Sequence, residues 1–518
     1  DVGRGTSTGG WHQRDWLYAG FAQDDWRITD NLTLNLGLRY EARTPWIETN
    51  NRQVGVNILT GALEFPEHTP VPAGAVGSNG FSRGLYKSTY GGLDFQPRIG
   101  FAWSPRSFGG KTVIRGAFTI SSYLEGTGTN LRLTQNPPFT PPQVEANNVA
   151  TGTGYSTKTG FSSAAPPAGN PFIGATMLTW SGTVQPAVAD QWNLTVQRQL
   201  TNSTTFQVGY VGQRTTHLMV PEWLSQGQLH SDGTITYPFV GGKNSPASGL
   251  TGFGPNQLGN VKNTASVGNM NYNALQAVLQ KRYGNGLQGQ VSYTFEKCMT
   301  NDDGYYGTWG AATQAGPSGN YWQDLYNPNG DYARCYWDTT HVLSAYAVYE
   351  LPFGRGKQFG HDLPKAVNAA VGNWSINPIV SWHTGFPLSL YGASNSGTGS
   401  PENRPDCIGP VTYPKTVSQQ GIQWFGPGSF ANAAPGKFGN CPAQGPVIGP
   451  GYVDADISIQ KNFPINERMR LQFRADFLNA FNHPNFGVPN DSVGTATFGI
   501  SSTTQDARQL QFDLKFYF

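Results

Sequence analysis

The sequence predicts an all-β fold, an antiparallel transmembrane β-barrel. Three observations predict it. Apolar and polar residues alternate with a period of two in segment after segment, charge is sparse while aromatic residues are abundant, and the links between segments alternate between short and long.

Successive side chains of a strand point to opposite faces, so strict alternation means that the two faces meet different solvents. The closing segment places Leu510, Phe512, Leu514, Phe516 and Phe518 on one face and Gln511, Asp513 and Lys515 on the other. Met469, Leu471, Phe473, Ala475 and Phe477 likewise alternate with Arg470, Gln472, Arg474 and Asp476, and Leu32, Leu34, Leu36, Leu38 and Tyr40 with Thr33, Asn35, Gly37, Arg39 and Glu41. A soluble sandwich would turn the apolar face to a core. A barrel turns it to lipid and the polar face to a wet lumen. Full charges in mid-strand, such as Asp454, Asp456, Arg474 and Asp476, suit the solvated face and not a buried one.

Composition narrows the class. Charged residues are 13% of the 518, well below the roughly 25% usual in soluble domains. Aromatic residues also reach 13%, with 14 Trp and 23 Tyr, the side chains that gather at membrane interfaces. The net charge of +2 gives no electrostatic footprint for nucleic acid. No stretch approaches the roughly 20 apolar residues of a transmembrane helix, an argument that leaves barrels untouched.

Thirteen strand candidates follow: 16–28, 32–41, 96–103, 111–123, 190–200, 203–213, 271–283, 286–297, 340–351, 372–386, 452–463, 468–480 and 507–518. Strands of about 10 residues suit the apolar band of an outer membrane. Short links (29–31, 104–110, 201–202, 284–285 and 464–467) and a moderate one (352–371) alternate with long ones at 42–95, 124–189, 214–270, 298–339, 387–451 and 481–506. That is the pattern of short periplasmic turns and long extracellular loops. The long links are rich in Gly, Pro, Asn, Ser and Thr and are read as irregular, and 42–95, 124–189, 214–270, 298–339 and 387–451 are the expected place for contact with an extracellular ligand of unknown identity. With short turns periplasmic, the first strand starts at the extracellular side. The expectation is a single portion of a barrel over 1–518, with an odd number of strands upstream.

Cys298 and Cys335 fall in one link, and Cys407 and Cys441 in another. Sparse, paired cysteines of this kind predict two loop disulfides formed in an oxidising compartment. Neither pair has zinc-site spacing.

Motifs that suggest chemistry have blander readings. Gly80-Phe-Ser-Arg-Gly84 matches a hydrolase elbow but sits in a Gly-rich link without the flanking strand and helix. Gly284-Asn-Gly-Leu-Gln-Gly289 fits a dinucleotide fingerprint, yet Asn285-Gly286 between alternating strands reads as a hairpin turn. Asn301-Asp-Asp-Gly304 with Asp324, Asn327, Asn329 and Asp331 offers oxygen ligands for calcium without the spacing of an EF-hand, and Asx turns explain the same residues. The eight histidines, among them His12, His217, His341 and His383, are scattered. The expectation is a protein that is not an enzyme, with no cofactor and no resident metal.

Phe21-Ala-Gln-Asp-Asp-Trp-Arg27, a short turn, and Leu32-Thr-Leu-Asn-Leu-Gly-Leu-Arg-Tyr-Glu41 resemble a hairpin of TonB-dependent outer-membrane receptors, especially the Oar-like group. Asp190-Gln-Trp-Asn-Leu-Thr-Val-Gln-Arg198, Asp476-Phe-Leu-Asn-Ala-Phe-Asn482 and the closing Phe518 are similar to that group too. The resemblance implies a plugged barrel of about 22 strands in the outer membrane of a Gram-negative cell. About 13 of those strands lie here, with the N-terminal plug and early strands outside the chain. It implies capture of a ligand by the extracellular loops and uptake energised by the TonB complex through the plug. It further implies that Phe512, Leu514, Phe516 and Phe518 form the signal read by the barrel assembly machinery. The alternatives are a passive porin or surface adhesin barrel and a secreted, soluble β-rich binding protein.

Overall fold

Alternation, carried through thirteen segments, builds one wall. The computed structural model describes residues 3–5, 11–88, 95–123, 133–139, 144–146, 171–180, 183–239, 254–302 and 321–518. The wall strands are β1 (Leu17–Thr29), β2 (Leu32–Arg43), β3 (Phe95–Trp103), β4 (Thr112–Tyr123), β5 (Ala187–Thr201), β6 (Thr204–Trp223) and β7 (Asn260–Gly284). They continue as β8 (Leu287–Thr300), β9 (His341–Glu350), β10 (Trp374–His383), β11 (Tyr452–Pro464), β12 (Arg470–Leu478) and β13 (Gln509–Tyr517). Each pairs antiparallel with the next in sequence, and β1 and β13 are the outermost strands of this path. One helix, α1 (Lys365–Val371), lies in the moderate link between β9 and β10.

Register keeps like with like. Leu471, Phe473, Ala475 and Phe477 of β12 stand opposite Phe516, Leu514, Phe512 and Leu510 of β13, while Gln472, Arg474 and Asp476 face Lys515, Asp513 and Gln511. The apolar face is open to the surroundings along the wall, as at Leu36, Ile99, Leu194, Leu275, Val291 and Leu514. In a soluble protein so large an apolar surface would be covered. Here it is the lipid face of a membrane wall.

Local chemistry sets the turns and the close contacts. Asn285 and Gly286 both hold positive φ, 57° and 75°, the geometry of a type I′ turn, which needs residues that tolerate the left-handed region. Trp192 of β5 lies opposite Gly212 of β6. A Cβ at Gly212 would collide with the Trp192 indole, so the ring lies flat only because that position has no side chain.

Three positions depart from the alternation. On β1, Asp24 stands opposite Leu36 and Phe21 opposite Arg39, while Trp26 opposite Leu34 and Asp25 opposite Asn35 keep the pattern of β2. On β11, Lys461 falls in the apolar row, opposite Trp374 and Phe473. It is 1% exposed, donates to the Gly372 carbonyl oxygen at the end of α1, and carries its ammonium over the Trp374 ring at 5.3 Å. A lysine that bends toward the short-turn end can remain in an apolar row.

The two strands expected at 203–213 and 271–283 are longer than the alternation indicated: β6 runs on to Trp223 and β7 begins at Asn260. At about 3.3 Å per residue, the 25 residues of β7 extend roughly 80 Å, far beyond a membrane's apolar band. A register shift after Thr215 and positive φ at His217 mark where β6 leaves the two-solvent regime. Beyond it the chain packs on both faces, with Met219, Val220, Val261, Asn263 and Ala265 all buried, so no alternation marks it as strand.

Candidate ligand-binding cap

The long links, expected to be irregular, hold the apolar cores of this molecule. Val54, Leu63, Phe65, Phe172, Met177, Val220, Leu258 and Trp322 come from the links 42–95, 124–189, 214–270 and 298–339 and pack into one cluster. A second contains Leu85, Leu133, Trp180 and Met219, with Tyr86 stacked on Trp180 at 4.9 Å. A third draws Leu388, Leu390, Phe425, Phe430, Cys441, Val447 and Phe498 from 387–451 and 481–506. Each fully buried Phe or Leu contributes about 1.5–3 kcal/mol. The lipid-facing wall has no such interior, so the apolar burial that shapes the extracellular end lies in its connections.

Buried amides tie the links together. Asn136 donates to the Val54 and Leu178 carbonyl oxygens at 2.7 and 2.6 Å and accepts from Leu178 N at 2.7 Å. Asn256 donates to the oxygens of Gly61 and Val76 and accepts from Val76 N at 2.7 Å. Gln323 is the third hub. Its carbonyl oxygen accepts from Gln226 Nε2 and Ser400 Oγ, both at 2.7 Å, its amide donates to Gly439 O at 2.9 Å, and its Oε1 accepts from Arg404 N at 2.9 Å. Satisfied buried amides of this kind specify a single arrangement of the segments they join. The links form one cap at the long-link end of the wall.

Two disulfides staple the cap. Cys298 is joined to Cys335 with Cα atoms 5.3 Å apart, and Cys407 to Cys441 at 5.0 Å. Asp338, fully buried, braces the first: Oδ1 accepts from Cys298 N at 3.0 Å and Oδ2 from Arg334 Nε at 2.6 Å.

Between these two stapled links lies a pocket lined by Asn301, Trp322, Asp331, Tyr391, Arg404 and Gln444 among others. Arg404 Nη1 donates to Asp331 Oδ1 at 3.1 Å, and both residues are 7% exposed. Burial pushes the Asp331 carboxyl up to about 6, against the opposing pull of Arg404 and the Gln323 N–H. Asp331 Oδ2 and Arg404 Nε have no hydrogen-bond partner in the protein. On the membrane wall, the concave polar face adds hollows lined by Arg98, Arg115 and Asn193 and by Asp456, Arg474 and Asp513.

Three of the residues considered for calcium are engaged otherwise. Asp331 binds Arg404, Asp324 Oδ1 caps Tyr326 N at 3.0 Å, and Asn301 Oδ1 accepts from Asn269 N at 2.7 Å. Asp303 and Gly304 lie outside the described residues, as do parts of 42–95, 124–189, 214–270 and 298–339. Among the described residues no group of three or more His, Cys, Asp and Glu is arranged to hold a metal ion. Gly80-Phe-Ser-Arg-Gly84 ends a short loop strand and enters a turn, and the described residues that follow, to Ser88, form no helix. His341 and His383 sit in aromatic clusters near the long-link end: His341 Nδ1 lies 2.7 Å from the Tyr293 hydroxyl and the ring 6.1 Å from Trp382, and His383 stacks on Tyr452 at 5.5 Å. Phe512, Leu514, Phe516 and Phe518 are exposed, Phe518 to 95%. The hubs Asn136, Asn256 and Gln323, and Gln226 that bonds to the last, carry no sequence signal, since isolated amides in polar links look like solvated loop residues.

A family model described as outer membrane beta barrel domain matches residues 1–511. The chain belongs to that family. It is therefore an outer-membrane protein, and lipid is the partner of its apolar face. Among solved structures it is similar to the outer membrane transporter YddB of Escherichia coli, at 8% identity over 97% of this chain and 45% of that one, with a TM-score of 0.46. It is also similar to the pyoverdine receptor FpvA of Pseudomonas aeruginosa (10% identity, 99% and 43% coverage, TM-score 0.44) and to the ferric-catecholate import receptor Fiu of Escherichia coli (10%, 99% and 46%, 0.41). The chain spans less than half the length of each of these. No curated protein matches it.

Proposed function

We propose that this barrel is part of a TonB-dependent receptor of the Oar-like kind, whose extracellular cap binds a ligand for energised uptake. The observation that carries the reading is the cap itself. Links from separate strand pairs are fused by shared cores, amide hubs and disulfides into one surface with a pocket. A passive pore gains nothing from so much ordered structure at its mouth, whereas a receptor needs a pre-organised binding surface. The hairpin Phe21–Glu41 and the segments Asp190–Arg198 and Asp476–Asn482 support the receptor class by resemblance. In this reading a plug couples the barrel to the TonB complex, the protein has no catalytic role, and the terminal ladder ending in Phe518 is recognised by the barrel assembly machinery.

The test is uptake of an isotopically labelled mixture of peptides and oligosaccharides by cells with and without the full-length gene, in hosts with and without TonB. Uptake that needs both supports the proposal. Uptake that needs the gene but not TonB identifies a passive porin, and surface binding without uptake identifies an adhesin; either overturns it.

A further inference from the structure

The pocket between the two stapled links contains an arrangement that folding alone does not explain. Asp331 and Arg404 are both more than nine-tenths buried and bonded to each other, yet one carboxylate oxygen and the guanidinium Nε are left without partners. An unsatisfied buried polar atom is a cost to folding, and a buried ion pair of this kind is weak evidence for stability. An acceptor and a donor, both desolvated and held side by side by Gln323, are instead a recognition element waiting for a complementary group.

The lining tells what that group is. The charged side chains around the pocket are Asp331 and Glu402 against Arg334 and Arg404, two of each sign, so the site has no net preference for an anion or a cation. Trp322 and Tyr391 supply aromatic walls. A hydroxyl both donates and accepts, so neighbouring hydroxyls on a ring satisfy a carboxylate oxygen and a guanidinium N–H together, while the aliphatic face of the ring takes the aromatic surface.

We propose that this pocket binds a neutral sugar ring, its adjacent hydroxyls bonded to Asp331 Oδ2 and Arg404 Nε, with Trp322 and Tyr391 as walls. The inference rests on the reading of the cap as a ligand-binding surface and adds the class of ligand. One wall of the pocket, from Thr300 to Arg334, lies inside the ring closed by Cys298–Cys335, so the staple holds the site in shape.

The experiment is equilibrium dialysis of the detergent-solubilised chain against glucose, galactose, mannose, N-acetylglucosamine and their short oligomers, with glucuronate and inorganic phosphate as anionic probes. Binding of at least one neutral sugar is expected, with glucuronate and phosphate failing to compete. Asp331→Asn is expected to weaken it by roughly tenfold to a hundredfold, the loss of one charged hydrogen bond. Tyr391→Ala is a second variant that leaves the Asp331–Arg404 pair and the hubs in place, and it is expected to weaken binding while heat-dependent gel mobility stays that of the folded wall. Free monosaccharide binding and binding only as the end of an oligomer both support the proposal and separate its two sources. It is overturned if the folded chain binds no neutral sugar, if the anionic probes compete, or if binding survives both substitutions. TonB-dependent uptake of labelled peptides alongside such a negative result would leave the receptor reading standing and remove only the sugar.

Discussion

At the scale of residues, the informative side chains are those that break the pattern around them. Asp331 is one: its carboxyl is raised from 3.8 to about 6 by burial. A carboxyl whose folded value exceeds its unfolded value binds more protons when folded, so its contribution favours the folded cap at low pH and is lost as pH rises from 3.8 through about 6. Hydrogen exchange of the cap amides should therefore become faster relative to the wall across that window in the wild type, and Asp331→Asn should flatten the dependence. An unchanged slope in the variant would sink this account. Gly212 is another. Gly212→Val forces Trp192 off the neighbouring strand and is expected to cost about 1–3 kcal/mol, measured by urea unfolding in detergent.

At the scale of elements, the period-two strand makes opposite predictions for adjacent residues. Leu514 of β13 belongs to the lipid row and Gln511 to the polar row. Leu514→Arg should destabilise folding into lipid vesicles by about 2–4 kcal/mol, and Gln511→Arg by little; equal costs would mean that the faces are misassigned. Phe518, 95% exposed at the end of this strand, is expected to matter for assembly rather than stability. Its deletion should lower the amount of barrel in the outer membrane in cells while leaving refolding in detergent unchanged. The strands were legible wherever lipid and lumen impose two solvents, as on β2, β8, β12 and β13. They were illegible where β6 and β7 rise into the cap, because Leu218-Met-Val-Pro221 and Asn260-Val-Lys-Asn-Thr-Ala-Ser266 are packed on both sides and carry no period.

At the scale of the whole molecule, wall and cap are held by different physics and should fail separately. The wall depends on lipid and on ladder hydrogen bonds, the cap on its own apolar clusters, amide hubs and two disulfides. Closing loops of 37 and 34 residues contributes on the order of 3–4 kcal/mol each in a chain-entropy account. Reduction is accordingly expected to expose the links 298–339 and 387–451 to protease while heat-dependent gel mobility of the wall persists. Loss of both together would show one cooperative unit.

What the sequence determined by itself is the wall: its thirteen strands, their order of short and long links, and which side chains meet lipid. These are local properties, set by a period of two and by turn chemistry such as Asn285-Gly286, and they need no knowledge of distant partners. What only the tertiary structure decided is the cap. Gln226 meets Gln323 across 97 residues and Asn256 meets Val76 across 180. Asp331, which in sequence offered itself as a calcium ligand among other Asx residues, becomes one half of a buried pair with Arg404 only because the chain returns to it at a separation of 73 residues. Contacts at such separations have no period and no motif, so the binding surface emerges from packing alone.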